Sequence, residues 1–150
     1  MASNFGEDLE KIKQVVEAQS RILGEDPKLA PKYARFLKGI ENELPLKVGA
    51  FFTDMDFSYT TTVTLGPNAL PHLEVTYPGD EQAKVKMRAT SEDFHALYSG
   101  AVGSSTLMMR RRLAMEAPVA LGIKFAPALT LLVKAYKQAC IDLGVPLAKK

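Results

Sequence analysis

Two histidines, His72 and His95, and one cysteine, Cys140, are the whole stock of imidazole and thiol chemistry in this 150-residue sequence. His95 stands two residues after Asp93, and a His–Asp pair can act as a general base. Residues two apart on a helix point to different sides, however, so these two do not face each other. No nucleophile stands at a spacing that would use them. His72 falls on the polar side of a strand pattern, and a surface histidine is the plainer reading of both. Cys140 recurs with Leu129, Leu132 and Tyr136 at helical spacing, which marks a buried, inert thiol. Two histidines and one cysteine do not make a zinc site. Asp54 and Asp56 alternate along a strand pattern and share one face, so they offer two carboxylates to a cation. Nothing nearby supplies the remaining ligands, and a solvated strand face is expected. The run Gly100-Ala101-Val102-Gly103-Ser104-Ser105 has two glycines but neither phosphate-loop pattern, and reads as a loop between helices. No catalytic residue, metal or cofactor is expected.

The sharpest local charge feature is Arg110, Arg111 and Arg112. Such a run is usually solvated. It also suits an acidic headgroup or a membrane surface, because the planar guanidinium fork donates two bonds to a carboxylate or phosphate. Leu107, Met108 and Met109 precede it directly, so apolar and cationic groups lie together, as an amphiphile requires. The six Met and the absence of Trp make the apolar stock soft. Methionine adapts to ligands of varied shape, although ordinary core filling explains the same residues.

These residues are positioned by elements that the patterning marks out. Residues 8–23 repeat apolar positions at Leu9, Ile12, Val16 and Leu23, an amphipathic helix stopped by Gly24. Asp26 followed by Pro27 starts a second helix through Tyr33, Phe36, Leu37 and Ile40. From Leu46 the texture turns to Val, Phe, Tyr and Thr, which fit a pleated half-buried surface. Residues 47–57 and 58–65 read as strands. Turns at Gly66-Pro67-Asn68 and Pro78-Gly79-Asp80 separate two more, 71–77 and 83–89. Four consecutive strands joined by short turns predict a meander. Thr90-Ser91-Glu92-Asp93 starts a helix that Gly100 ends. Residues 104–111 predict a further short helix, and 112–117 a fifth short strand stopped by Pro118. The last helix is expected from near Pro127 to Leu143, closed by Gly144 and Pro146. Segregated runs of this kind argue α+β, with helices on one face of an antiparallel sheet.

The bounds are simple. The size suits a single domain over residues 1–150, and 47% hydrophobic with 24% charged residues is ordinary for a globular chain. One cysteine excludes an internal disulfide framework. The leading residues show no signal-peptide pattern, and no apolar run approaches the ~18 residues of a membrane span. The cytoplasm is the expected compartment. Residues 1–75 carry 8 Lys/Arg against 11 Asp/Glu, and residues 76–150 carry 11 against 6. That mild asymmetry suits an anionic ligand or membrane surface and falls short of a nucleic-acid footprint.

The order of elements and the stretch from Leu73 to Ala139 resemble the sterol-carrier-protein lipid-binding domain family. The resemblance lies in the strand ending in Ala89-Thr90 and the acidic-aromatic helix Ser91-Glu92-Asp93-Phe94-His95-Ala96-Leu97-Tyr98-Ser99-Gly100. The strand at Arg112-Leu113-Ala114-Met115-Glu116 and the amphipathic helix over residues 129–139 complete it. It implies an α+β domain with a five-stranded, mostly antiparallel sheet covered by helices and enclosing an apolar tunnel for a fatty acyl chain, sterol or similar lipid. Periodicity and resemblance together select Phe52, Leu97, Met108, Met115, Phe125, Leu129, Leu132 and Tyr136 as tunnel lining, with Arg110, Arg111 and Arg112 for a headgroup. An acyl chain of about 16 carbons gains roughly 13 kcal/mol gross at ~0.8 kcal/mol per buried methylene. The expected function is non-enzymatic lipid binding or carriage, with a lipid and transiently a membrane surface as partners. The alternatives are a small α+β enzyme or enzyme accessory using His95 and Asp93, and a protein-interaction module.

Overall fold

The computed structural model describes residues 9–67 and 69–149. Residues 1–8, among them Asp8 and the leader considered above, lie outside the described residues, as does Asn68. Helix α1 (Leu9–Glu25) and helix α2 (Leu29–Gly39) come first, followed by strands β1 (Leu46–Phe52), β2 (Phe57–Leu65), β3 (Pro71–Thr76) and β4 (Val85–Ala89). Helices α3 (Ser91–Tyr98) and α4 (Ser104–Met109), strand β5 (Ala114–Glu116) and helix α5 (Val119–Leu143) complete the chain.

Local chemistry sets the helix boundaries. Asp26 Oδ1 accepts from the backbone N–H groups of Lys28 and Leu29 at 2.8 and 2.9 Å, so it caps α2 as its position before Pro27 implied. Those backbone donors, above all that of Leu29, hold its carboxyl below the usual range. Thr90 caps α3 by accepting from Asp93 N–H at 3.1 Å. Gly24 does not stop α1. It lies inside the last turn, where a Cβ would stand 3.1 Å from the Pro71 carbonyl, so its bare backbone lets α1 come down onto β3. Helix α5 begins eight residues before the expected start at Pro127. Pro127 lies on the exposed side, where the carbonyl left without its helical donor meets water. The longer α5 is apolar enough and long enough to span a membrane, with a mean hydropathy of 1.5. It nonetheless packs on α1, α2 and α3.

The sheet has five strands in the order β3-β2-β1-β4-β5. Three of its four pairings are antiparallel, and β1 with β4 is parallel, Val48 opposite Val85 and Phe52 opposite Ala89. The expected four-strand meander is therefore corrected. Only β1, β2 and β3 form one, and the chain then crosses the sheet to lay β4 on the far side of β1. Three interstrand gaps at ~4.8 Å make roughly 14 Å, which the eight residues 77–84 can span within their ~26 Å reach.

The crossing runs over the outer face of the sheet. Gly79 N–H donates to Ser58 Oγ at 2.8 Å, and Asp80 N–H to Thr60 Oγ1 at 2.6 Å. A Cβ on Gly79 would stand 2.9 Å from the Phe51 ring, and one on Gly49 would stand 2.8 Å from it. Two glycines thus leave space for one phenylalanine under the crossing segment. Lys47–Asp80, Arg88–Glu81 and Lys86–Glu116 ion pairs cover the rest of this face. The opposite, inner face carries Val48, Ala50, Phe52, Tyr59, Val63, Val85 and Met87, roofed by helices.

Candidate functional site

An internal cavity lies between the inner sheet face and the helices. Strand β1 supplies Val48 and Ala50, β2 supplies Tyr59, Thr61 and Val63, and β3 and β4 supply Leu73 and Met87. Its roof is Gln19, Ser20 and Leu23 of α1, Tyr33 of α2, Tyr98 of α3, and Phe125 and Leu132 of α5. The space open to a water-sized sphere is about 30 Å³, room for about two waters. A hydrocarbon chain therefore enters only if the roof lifts. Gln19 ties two parts of that roof together, donating from Nε2 to the Leu132 carbonyl at 3.0 Å.

The cavity is apolar with a polar inset. Tyr33, Tyr59 and Tyr98 are each at least nine-tenths buried. Burial pushes all three phenols up, and Tyr98 is raised further by Tyr59 and Tyr33. No Lys, Arg, His, Asp or Glu lines the cavity.

A second buried polar cluster adjoins the cavity, where Tyr136 packs between His95 and Tyr98, one turn apart on α3. The Pro146 carbonyl can only accept, so His95 Nε2–H donates to it at 2.8 Å. His95 Nδ1 then accepts from Tyr136 O–H, also at 2.8 Å. Burial lowers the His95 pKa from its ordinary value, partly offset by the Pro146 carbonyl. Cys140, one turn beyond Tyr136, is a free thiol pushed up to about 11 by burial. It is correspondingly unreactive. Val145 N–H donates to the Cys140 carbonyl at 2.8 Å, and Ala148 N–H to Ser99 Oγ at 3.1 Å, so the chain after α5 is strapped onto α3.

The residues selected from sequence scatter around this geometry. Phe125 and Leu132 line the cavity. Phe52, Leu97 and Tyr136 are buried in the adjoining core cluster, where Phe52 stacks on Phe94 at 4.7 Å. Met115 and Leu129 are partly buried against the two core clusters. Met108 is 45% exposed and Met109 84%. Arg110, Arg111 and Arg112 are exposed and do not border the cavity. Arg112 instead grips Asp93 with two of its guanidinium nitrogens, Nη2 to Oδ1 at 2.7 Å and Nε to Oδ2 at 3.1 Å. Asp93 and His95 thus serve different partners. Asp54 and Asp56 are in the turn between β1 and β2, not on a strand face, and Asp54 accepts from Ser91 N–H and Oγ–H at 2.9 and 2.7 Å. His72 is exposed on β3. Among the described residues no three His, Cys, Asp or Glu side chains gather as a metal site.

Pattern reading missed Gln19, Ser20, Tyr33, Tyr59 and Tyr98. Tyr59 and Tyr33 were on apolar faces and simply counted as core. Gln19 and Ser20 carried the better signal, two polar residues between Val16 and Leu23 on a helix face that must be dry.

A five-stranded mixed sheet with one face crossed by a loop and the other roofed by helices over a small cavity is the sterol-carrier type of α+β fold. The chain is similar to a crystal structure of sterol carrier protein 2, with 15% identity and a TM-score of 0.56 over 83% of this chain and 94% of that one. It is also similar to sterol carrier protein 2 from Yarrowia lipolytica in its apo form, with 16% identity and a TM-score of 0.55 over 86% and 96%. A conserved hypothetical protein from Thermus thermophilus, described as possibly a sterol carrier protein, gives 16% identity and a TM-score of 0.55 over 83% and 85%. At these identities the likeness is one of fold. The sequence profile of the SCP-2 sterol transfer family matches residues 53–130, and the chain belongs to that family. No curated protein matches it.

Proposed function

We propose that this protein binds and carries a lipid, without chemical turnover, in the cavity between the inner sheet face and α1, α2 and α5. The observation that carries the reading is the cavity itself, an apolar space walled by eight elements in a chain of the SCP-2 sterol transfer family. Burial of a chain of about 16 methylenes is worth roughly 13 kcal/mol gross. That leaves a margin for parting the roof and ordering the ligand. The exposed Arg110 and Arg111, beside exposed Met108 and Met109, suit transient contact with an anionic membrane surface. The free, buried Cys140 suits action in the reducing cytoplasm.

Organic extraction and native mass spectrometry of the purified protein test the reading, together with uptake of a fluorescent fatty alcohol or acid. Saturable uptake or a co-purifying lipid is expected. Ligand-free protein that takes up neither probe overturns it.

A further inference from the structure

Three phenols open onto the cavity without partners. Tyr33, Tyr59 and Tyr98 line it, and none of their hydroxyls makes a hydrogen bond to another described residue. No side-chain polar atom among the described residues is sealed away without a partner. These hydroxyls therefore keep access to open space, and the cavity is the space that all three side chains line. Each phenol carries one donor and can accept. A buried hydroxyl left unpaired costs free energy, so such a set is kept where something polar comes to meet it.

We infer that Tyr33, Tyr59 and Tyr98 form the head-recognition site of this cavity, and that they select an uncharged hydroxyl or carbonyl head over an ionised carboxylate. The inference rests on the proposed lipid-binding role and narrows its ligand. The argument is one of charge. A carboxylate brought here would lose its water with no Lys, Arg or His among the lining residues to compensate it. The arginines that would suit an acidic head, Arg110, Arg111 and Arg112, are outside the cavity lining. The same dry surroundings that keep all three phenols protonated resist an anion among them. A hydroxyl or carbonyl bears no such penalty and exchanges hydrogen bonds with the phenols directly.

The test is a pair of probes with one chain length, hexadecanol and palmitate, titrated at pH 8 by competition against a fluorescent fatty alcohol. Hexadecanol should bind at least about tenfold tighter than palmitate, and the combined Tyr33→Phe, Tyr59→Phe, Tyr98→Phe variant should lose about five- to tenfold in hexadecanol affinity. Palmitate binding as tightly as hexadecanol, or a folded variant that binds hexadecanol like the parent, overturns the inference while leaving lipid carriage in place. Binding of neither probe overturns lipid carriage and this inference with it. If the triple variant fails to fold, the probe ratio on the unaltered protein decides.

Discussion

Among the described residues, the buried polar clusters around His95 and around the cavity are built on opposite plans. Around His95 every group is answered within the fold: Tyr136 donates to Nδ1, Nε2–H donates to Pro146, and Ser99 nearby receives Ala148. Around the cavity Tyr33, Tyr59 and Tyr98 line the wall without such answers. The closed cluster lies in the roof, the open one spans the roof and the inner sheet face, where Tyr59 sits on β2, and α3 contributes to each. The closed cluster behaves as a fastening for the end of α5 and the segment after it. The open one behaves as a place prepared for something from outside. A buried polar group that costs stability in isolation is tolerated in the first case by its neighbours and in the second, on the proposed reading, by a ligand.

The contrast can be broken experimentally. The largest expected effect is in the closed cluster. His95→Ala takes the imidazole partner from the Tyr136 hydroxyl and the Pro146 carbonyl and leaves a void, and should cost about 2–4 kcal/mol in urea unfolding with the hexadecanol-to-palmitate ratio unchanged. Next comes Ala50→Leu, which pushes methyl groups from β1 into the cavity. Overpacking should cost about 1–3 kcal/mol, and lipid uptake should disappear. A pH titration gives a smaller effect. Burial depresses the folded pKa of His95 below its ordinary 6.5, so the unfolded chain binds the extra proton first. The stability that His95 contributes is complete above pH 6.5 and is lost as pH falls below that toward the folded value. Urea midpoints taken between pH 8 and pH 5 should therefore decline, and the decline should shrink in His95→Ala. The smallest effect is Tyr59→Phe. It removes a hydroxyl without a protein partner, so stability should move by only about 0.5 kcal/mol, whereas the equivalent change at Tyr136 should cost about 1–3 kcal/mol. Equal costs at the two tyrosines would erase the distinction between the clusters.

Much of the fold was legible because alternation and helical spacing are local. The inner faces of β2 and β4, the caps at Asp26 and Thr90, and the short fifth strand all emerge from neighbouring residues. The parallel pairing of β4 with β1 does not. Alternation along Val85, Met87 and Ala89 is the same whichever neighbour the strand chooses, and the close approach of Gly79 to Phe51, which seats the crossing segment, joins residues far apart in sequence. The start of α5 was hidden by Pro127, whose cost depends on whether it faces the core or water.

The cavity was the least legible part. Soft apolar residues clustered in sequence pointed to Met108, yet at α4 that cluster meets solvent. The actual lining draws one to three residues from each of several elements. Phe125 and Leu132 were reachable because α5 has a clear apolar face. The tyrosines looked like any other core aromatics, and only their missing partners distinguish them.

The crossing segment also has a consequence for how the chain is made. Strand β1 ends in the middle of the sheet, but its partner on one side, β4, follows 37 positions later, Val48 against Val85. On a ribosome working at ~5–20 residues per second, β2 and β3 can pair while β1 waits about 2–7 s for that partner to emerge. During this interval the strand Leu46–Phe52, with Val48, Ala50, Phe51 and Phe52 in it, is a free apolar edge. Free edges of this kind attract other chains. The nascent protein therefore passes through a brief, sticky stage that the finished one conceals, and slowing translation just after β3 should lengthen it and raise the aggregated fraction.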